Sequence, residues 1–197
     1  MIILLGFPKS GTTSFTWLFS RLGLKSYHWI FRNDTDFIGN WIRKMKHKKK
    51  KLLSFIPKEF QESCAVTQMD ICMNDKDAYW PQLVDFEQLY KEYPNAIFIL
   101  NMRDTKDILG SMKKWNDYDK RILKYNPELF DGLEGTNDEK IIQLINNHFY
   151  KVKYFFQNKP EAKFLTYHII HDDISKLNKY IDIKNLQFPE ANSNKKK

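Results

Sequence analysis

Apolar residues fall along the 197-residue chain in two rhythms. Short apolar or aromatic-rich runs at 2–5, 25–31, 65–71, 96–100 and 164–167 have the length of strands, and the most apolar of them suit a sheet covered on both faces. Between them the spacing turns helical. Residues 12–22 read as a helix stopped by Gly23, which is free to take positive φ. Asp34 or Thr35 is placed to cap a helix running through Trp41. Residues 77–93 put Leu83, Phe86, Leu89 and Tyr90 on one helical face. A helix is expected over about 105–115. Residues 116–134 fit a short helix with a loop, broken at Gly132 and Gly135. The longest helical pattern, 138–158, aligns Ile141, Leu144, Ile145, Phe149, Val152 and Phe156, and Pro160 follows it. A last helix is expected over 172–181.

Strands that alternate with helices predict an α/β fold of three layers: a parallel sheet of about four to five strands with helices on both faces. The length suits one domain over residues 1–191, followed by a polar, basic tail, 192–197, expected to be disordered. In such folds ligands bind beyond the carboxyl ends of the strands. That rule singles out the loop after Leu5, the segment after Ile30, and Arg103 after Leu100.

Charge adds a direction. The net charge of +8 suggests an anionic partner. Residues 43–51, nearly all basic, are costly to bury, so they read as a solvated helix end or a loop. Their functional reading is an anchor for an acidic acceptor. Cys64 and Cys72 form neither a disulfide framework nor a metal signature. No window approaches the roughly 20 apolar residues of a membrane span, and no signal peptide is visible. A cytoplasmic protein is expected, and the Asn33-Asp34-Thr35 sequon is then without consequence.

The chemistry centres on Gly6-Phe7-Pro8-Lys9-Ser10-Gly11-Thr12-Thr13. An apolar strand precedes it and a helix follows, so backbone N–H groups and the positive end of a helix dipole face one point. The glycines have the spacing of a nucleotide-hydrolase loop, but Thr12 stands where that pattern has lysine. The only lysine of the loop is Lys9, inside the turn.

Phe7-Pro8-Lys9-Ser10-Gly11-Thr12-Thr13 resembles the 5′-phosphosulfate loop of sulfotransferases that use 3′-phosphoadenosine 5′-phosphosulfate (PAPS). A second block is similar to the same family: an apolar strand leading into Arg103-Asp104, with Ser111 eight residues after the arginine. Ser26-Tyr27-His28-Trp29, Tyr93-Pro94-Asn95-Ala96 and Phe188-Pro189-Glu190-Ala191-Asn192 extend the likeness along the chain to the short, soluble branch. The Arg-Lys-Gly segment near the C-terminus of the larger cytosolic enzymes is missing.

The resemblance implies transfer of a sulfuryl group from PAPS to a hydroxyl or amine, with adenosine 3′,5′-bisphosphate as the spent cofactor and no metal. It places Pro8, Lys9, Ser10, Gly11, Thr12 and Thr13 around the 5′-phosphosulfate, with Lys9 at the leaving oxygen. It places Arg103 and Ser111 at the 3′-phosphate, for which a guanidinium fork is suited. A base must take the acceptor proton. His28, after the second strand, and Asp70, after the third, are the two candidates. Trp17 is either core or an adenine stack. The acceptor is expected to be a small molecule or glycan, and an acidic one would suit the lysines. No membrane or nucleic-acid partner is expected. Two other functions share this pattern: a P-loop nucleotide or small-molecule kinase, and a non-catalytic domain that binds a polyanion.

Overall fold

A computed structural model describes residues 1–32, 36–183 and 186–189. Strand β1 (Ile2–Leu4) leads through the glycine loop into helix α1 (Thr12–Arg21). Gly23 takes φ 79° just past that helix, as expected. Strand β2 (Lys25–His28) follows. It is shorter than its aromatic run because Trp29 adopts φ 65°, which ends extended backbone. Helix α2 (Ile38–His47) comes next. The cap and the sequon at residues 33–35, and the tail at 192–197, lie outside the described residues.

The third predicted strand splits in two. Strand β3 (Cys64–Gln68) joins the main sheet, while β4 (Ile71–Cys72) leaves it to pair antiparallel with β5 (Ala78–Tyr79). The Asn74 side chain drives this hairpin by accepting the N–H groups of Lys76 and Asp77 at 2.9 and 3.0 Å. The single helix expected over 77–93 is therefore wrong. After β5 come α3 (Pro81–Val84) and α4 (Phe86–Glu92), separated by a break at Asp85. Proline lacks an N–H and is favoured in a first helical turn, so Pro81 starts α3 instead of continuing a longer helix.

Strand β6 (Ile97–Met102) then enters the sheet, followed by α5 (Thr105–Lys113). The ambiguous stretch resolves into α6 (Tyr118–Tyr125) and a 3-10 turn over Pro127–Phe130. Helix α7 (Asn137–Gln157) begins in a capping box, Thr136 with Glu139. The last strand is β7 (Lys163–His168). The helix expected over 172–181 is instead a 3-10 helix, Ile174–Lys179, opened by Asp173 capping the Ser175 N–H.

The five-stranded sheet is parallel, in the order β2-β3-β1-β6-β7. Alternation along its strands builds two apolar layers. Ile3, Leu5, Val66, Phe98 and Leu100 face the side covered by α2, α4, α5 and α7. Ile2, Leu4, Ala65 and Ile99 face Phe15, Leu18 and Phe19 of α1. No helix among the described residues is long and apolar enough to cross a membrane.

The basic run divides between two tasks, neither at the carboxyl ends of the strands. Arg43 donates to the carbonyls of Lys76 and Ala78, and Lys46 pairs with the buried Asp85. Lys51 lies with Met1, Ala96 and Lys163 at the opposite, amino ends of the strands.

Candidate functional site

The glycine loop is fastened from beneath by Asn101 of β6. Its Oδ1 accepts the Gly6 N–H at 2.9 Å, and its Nδ2 donates to the Ser10 carbonyl at 3.1 Å and to Ser10 Oγ at 2.7 Å. A Cβ at Gly6 would lie 2.1 Å from the Asn101 carbonyl oxygen, so only glycine fits the approach. Lys9 and Gly11 both take left-handed backbone, at φ 70° and 86°. Those turns bring the chain into α1, whose first turn holds no acidic side chain. The dipole end of α1 and the amides of residues 11–13 are thus left available to an anion.

Beyond this loop opens a cleft of about 210 Å³, lined by Lys9, Gly11, Thr12, Thr13, His28, Trp29, Gln68, Arg103, Ser111, Trp115 and Ile169 among others. Lys9, His28, Gly11, Thr12, Thr13, Arg103 and Ser111, all expected at the site, therefore meet in one place. Pro8 and Ser10 are buried and shape the loop from behind. Trp17 is 47% exposed and does not line the cleft. No residue of 43–51 lines it either.

The Lys9 ammonium sits 4.2 Å from the centre of the Trp115 ring. Burial lowers its pKa from the ordinary amine range; Asp70 opposes that shift and Arg103 adds to it. Arg103 reaches Asp107 at 3.6 Å through one terminal nitrogen, while its Nε is buried without a hydrogen-bond partner among the described residues. His28 contacts the hydroxyls of Thr16 and Thr67 through Nδ1, at 3.1 and 3.0 Å. Burial, with a smaller contribution from Lys9, pulls its pKa down to about 4, so the imidazole is neutral at physiological pH.

Asp70, the other base candidate, is 1% exposed and sits behind the cleft wall. Its carboxylate accepts from Tyr118 Oη at 2.6 Å, Gln82 Nε2 at 3.0 Å and Gln68 Nε2 at 3.3 Å. Burial raises its pKa, and these donors oppose the shift. Gln68 in turn accepts the Thr12 hydroxyl at 2.9 Å. The hydroxyl of Thr12 is therefore committed to the wall, and Thr13 is the threonine free of that tie.

Asn101, Gln68, Trp29, Trp115 and Ile169 escape sequence reasoning. Only Asn101 carried a signal, as a polar residue in an otherwise apolar strand. Asp104, His168 and His171 bring carboxylate and imidazole atoms within 4.8 Å of one another beside Arg103. His168 Nδ1 accepts the N–H groups of Ile170 and His171, both at 3.4 Å. Nε2 of His168 and Nε2 of His171 each stand 3.8 Å from a carboxylate oxygen of Asp104, an ion-pair distance for a protonated imidazole and beyond hydrogen-bond reach.

A family model described as a sulfotransferase domain matches residues 1–196. Among curated proteins none matches the chain.

Proposed function

The chain belongs to the sulfotransferase domain family, and on that premise we propose that it moves the sulfuryl group of PAPS to a hydroxyl or amine acceptor by in-line displacement. The observation that carries this reading is the meeting of Lys9, Arg103 and His28 in one cleft at the carboxyl ends of the strands. The Nε of Arg103, buried and without a hydrogen-bond partner among the described residues, is available to donate to an anion. With the loop amides it makes a donor set that fits a nucleotide bearing two phosphates.

When bound, PAPS supplies an electrophilic sulfuryl group and a bisphosphate as leaving group. The amides of residues 11–13, with the Thr13 hydroxyl and the dipole of α1, hold the 5′-phosphate, while the Ser10 N–H is spent on the Phe7 carbonyl within the loop. Arg103 and Ser111 hold the 3′-phosphate. Lys9 stabilises the negative charge that develops on the leaving oxygen. Its contact with Trp115 holds the ammonium in the cleft beforehand. His28 takes the acceptor proton, and its neutral state leaves it ready to do so. Thr12 stands where a kinase keeps its lysine, and its hydroxyl is tied to Gln68. Free, buried Cys64 and Cys72 support a reducing compartment such as the cytoplasm. Release of adenosine 3′,5′-bisphosphate from PAPS, measured against a panel of hydroxyl and amine acceptors, tests the reading; lack of release with every acceptor class counts against it.

A further inference from the structure

Two threonines that belong to no motif stand behind His28. Thr16 comes from the second turn of α1 and Thr67 from β3. The pairing of β2 with β3 is regular from Lys25 with Cys64 to Tyr27 with Val66, and then shifts so that His28 faces Gln68. Thr67 is the residue skipped. The irregularity brings its hydroxyl to 3.0 Å from His28 Nδ1, in the way bulges re-aim side chains near functional sites. Thr16 Oγ1 lies 3.1 Å from the same nitrogen and 2.7 Å from Thr67 Oγ1.

Each hydroxyl also reaches a backbone carbonyl, Thr16 to Thr12 at 2.9 Å and Thr67 to Tyr27 at 3.2 Å. Carbonyl oxygens only accept, and the 2.7 Å contact between the two hydroxyl oxygens takes one hydrogen, so one threonine donates to the other while the second donates to its carbonyl, and both hydrogens lie away from the ring. What both then offer the imidazole is lone pairs. A nitrogen facing two lone-pair donors is satisfied by carrying the hydrogen itself.

We propose that Thr16 and Thr67 are positioning residues that hold His28 in the Nδ1–H tautomer and so leave the lone pair on Nε2, the nitrogen available to the cleft. The inference rests on the reading of His28 as the base. During transfer the acceptor oxygen or nitrogen forms its bond to sulfur while the bond from sulfur to the bridging oxygen breaks. The electron pair of that bond leaves on the 5′-phosphate oxygen, and the acceptor proton goes to Nε2. The imidazolium that results keeps its Nδ1–H on the two hydroxyls, so no hydrogen bond behind the ring has to rearrange. In the opposite tautomer the lone pair would point at Thr16 and Thr67 and could not reach an acceptor.

Nitrogen-15 NMR of the imidazole rings at neutral pH, without any nucleotide, reads the tautomer directly, and His28→Gln assigns the signal. The expected result is Nδ1–H in the wild type. In the double variant Thr16→Val, Thr67→Val the population should move toward Nε2–H, turnover should fall at least tenfold, and the half-saturating PAPS concentration should stay within about threefold. Thr16→Ser and Thr67→Ser keep the hydroxyls and should restore both tautomer and turnover. A wild-type His28 found as Nε2–H overturns the proposal without recourse to any variant. So does a tautomer unmoved in the folded double variant. Absence of sulfotransfer with the Nδ1–H tautomer in place would instead count against the functional reading.

Discussion

The side chain of Asn101 accepts the Gly6 N–H at 2.9 Å and donates to Ser10 Oγ at 2.7 Å, so one amide closes both ends of the anion loop. Asn101→Ala should leave the Gly6 N–H unpaired in a buried place and remove the amide donor from the Ser10 carbonyl and hydroxyl, although Ser10 Oγ still donates to the Phe7 carbonyl. The expected loss is about 1–3 kcal/mol per unsatisfied group. Gly6→Ala should cost a similar amount through steric overlap with the Asn101 backbone. Urea unfolding of both variants measures this, and wild-type midpoints would dismiss the clamp.

Lys9 and Arg103 should separate kinetically. Lys9→Ala removes charge stabilisation at the leaving oxygen, so turnover should fall roughly 10²–10³-fold while the spent nucleotide still binds. Arg103→Gln should weaken adenosine 3′,5′-bisphosphate by roughly ten- to a hundredfold, the worth of one charged hydrogen bond, and leave AMP affinity nearly unchanged. Equal losses for both nucleotides would move the 3′-phosphate away from Arg103.

Acid should destabilise the fold through two histidines. Burial holds His28 and His148 at pKa values of about 4, against 6.5 for the free side chain. Between those values the unfolded chain binds more protons than the native one, so stability is full above about pH 6.5 and falls as pH drops toward 4. Each group contributes a slope of up to about 1.4 kcal/mol per pH unit. His148→Gln should remove roughly half of that slope in urea titrations at pH 7 and pH 5, and an unchanged slope would contradict its burial as a neutral ring.

Asp70→Asn distinguishes the two base candidates. The amide replaces a carboxylate that accepts three donors, so stability should drop by about 1.5–3 kcal/mol for each charged hydrogen bond lost. The shape of the pH–rate profile should persist, because His28 takes the proton. A profile whose acidic limb disappears in Asp70→Asn and survives in His28→Gln would reverse the assignment.

The sheet was legible because β1 and β6 hold continuous apolar runs and β2 and β7 fall in runs rich in aromatics, and α1 because Gly11 and Gly23 bracket a helical period. The β4–β5 hairpin was not, since its strands are two residues each and a side-chain turn at Asn74 makes it. Pro81 was the overlooked warning against a helix over 77–93. At the site, Lys9, Arg103 and His28 stand in a loop or at strand ends where chemistry is expected, and Ser111 stands in α5 at a fixed spacing from Arg103. Thr67 and Gln68 reach it only through strand order and a register shift. Neither leaves a spacing in the chain.

The most direct test is calorimetric titration of the protein with adenosine 3′,5′-bisphosphate in the presence of EDTA, set beside AMP and magnesium ATP. Binding of the bisphosphate without metal, tighter than AMP and weakened by Arg103→Gln, is the predicted result. Binding of magnesium ATP with no response to the bisphosphate would contradict the account.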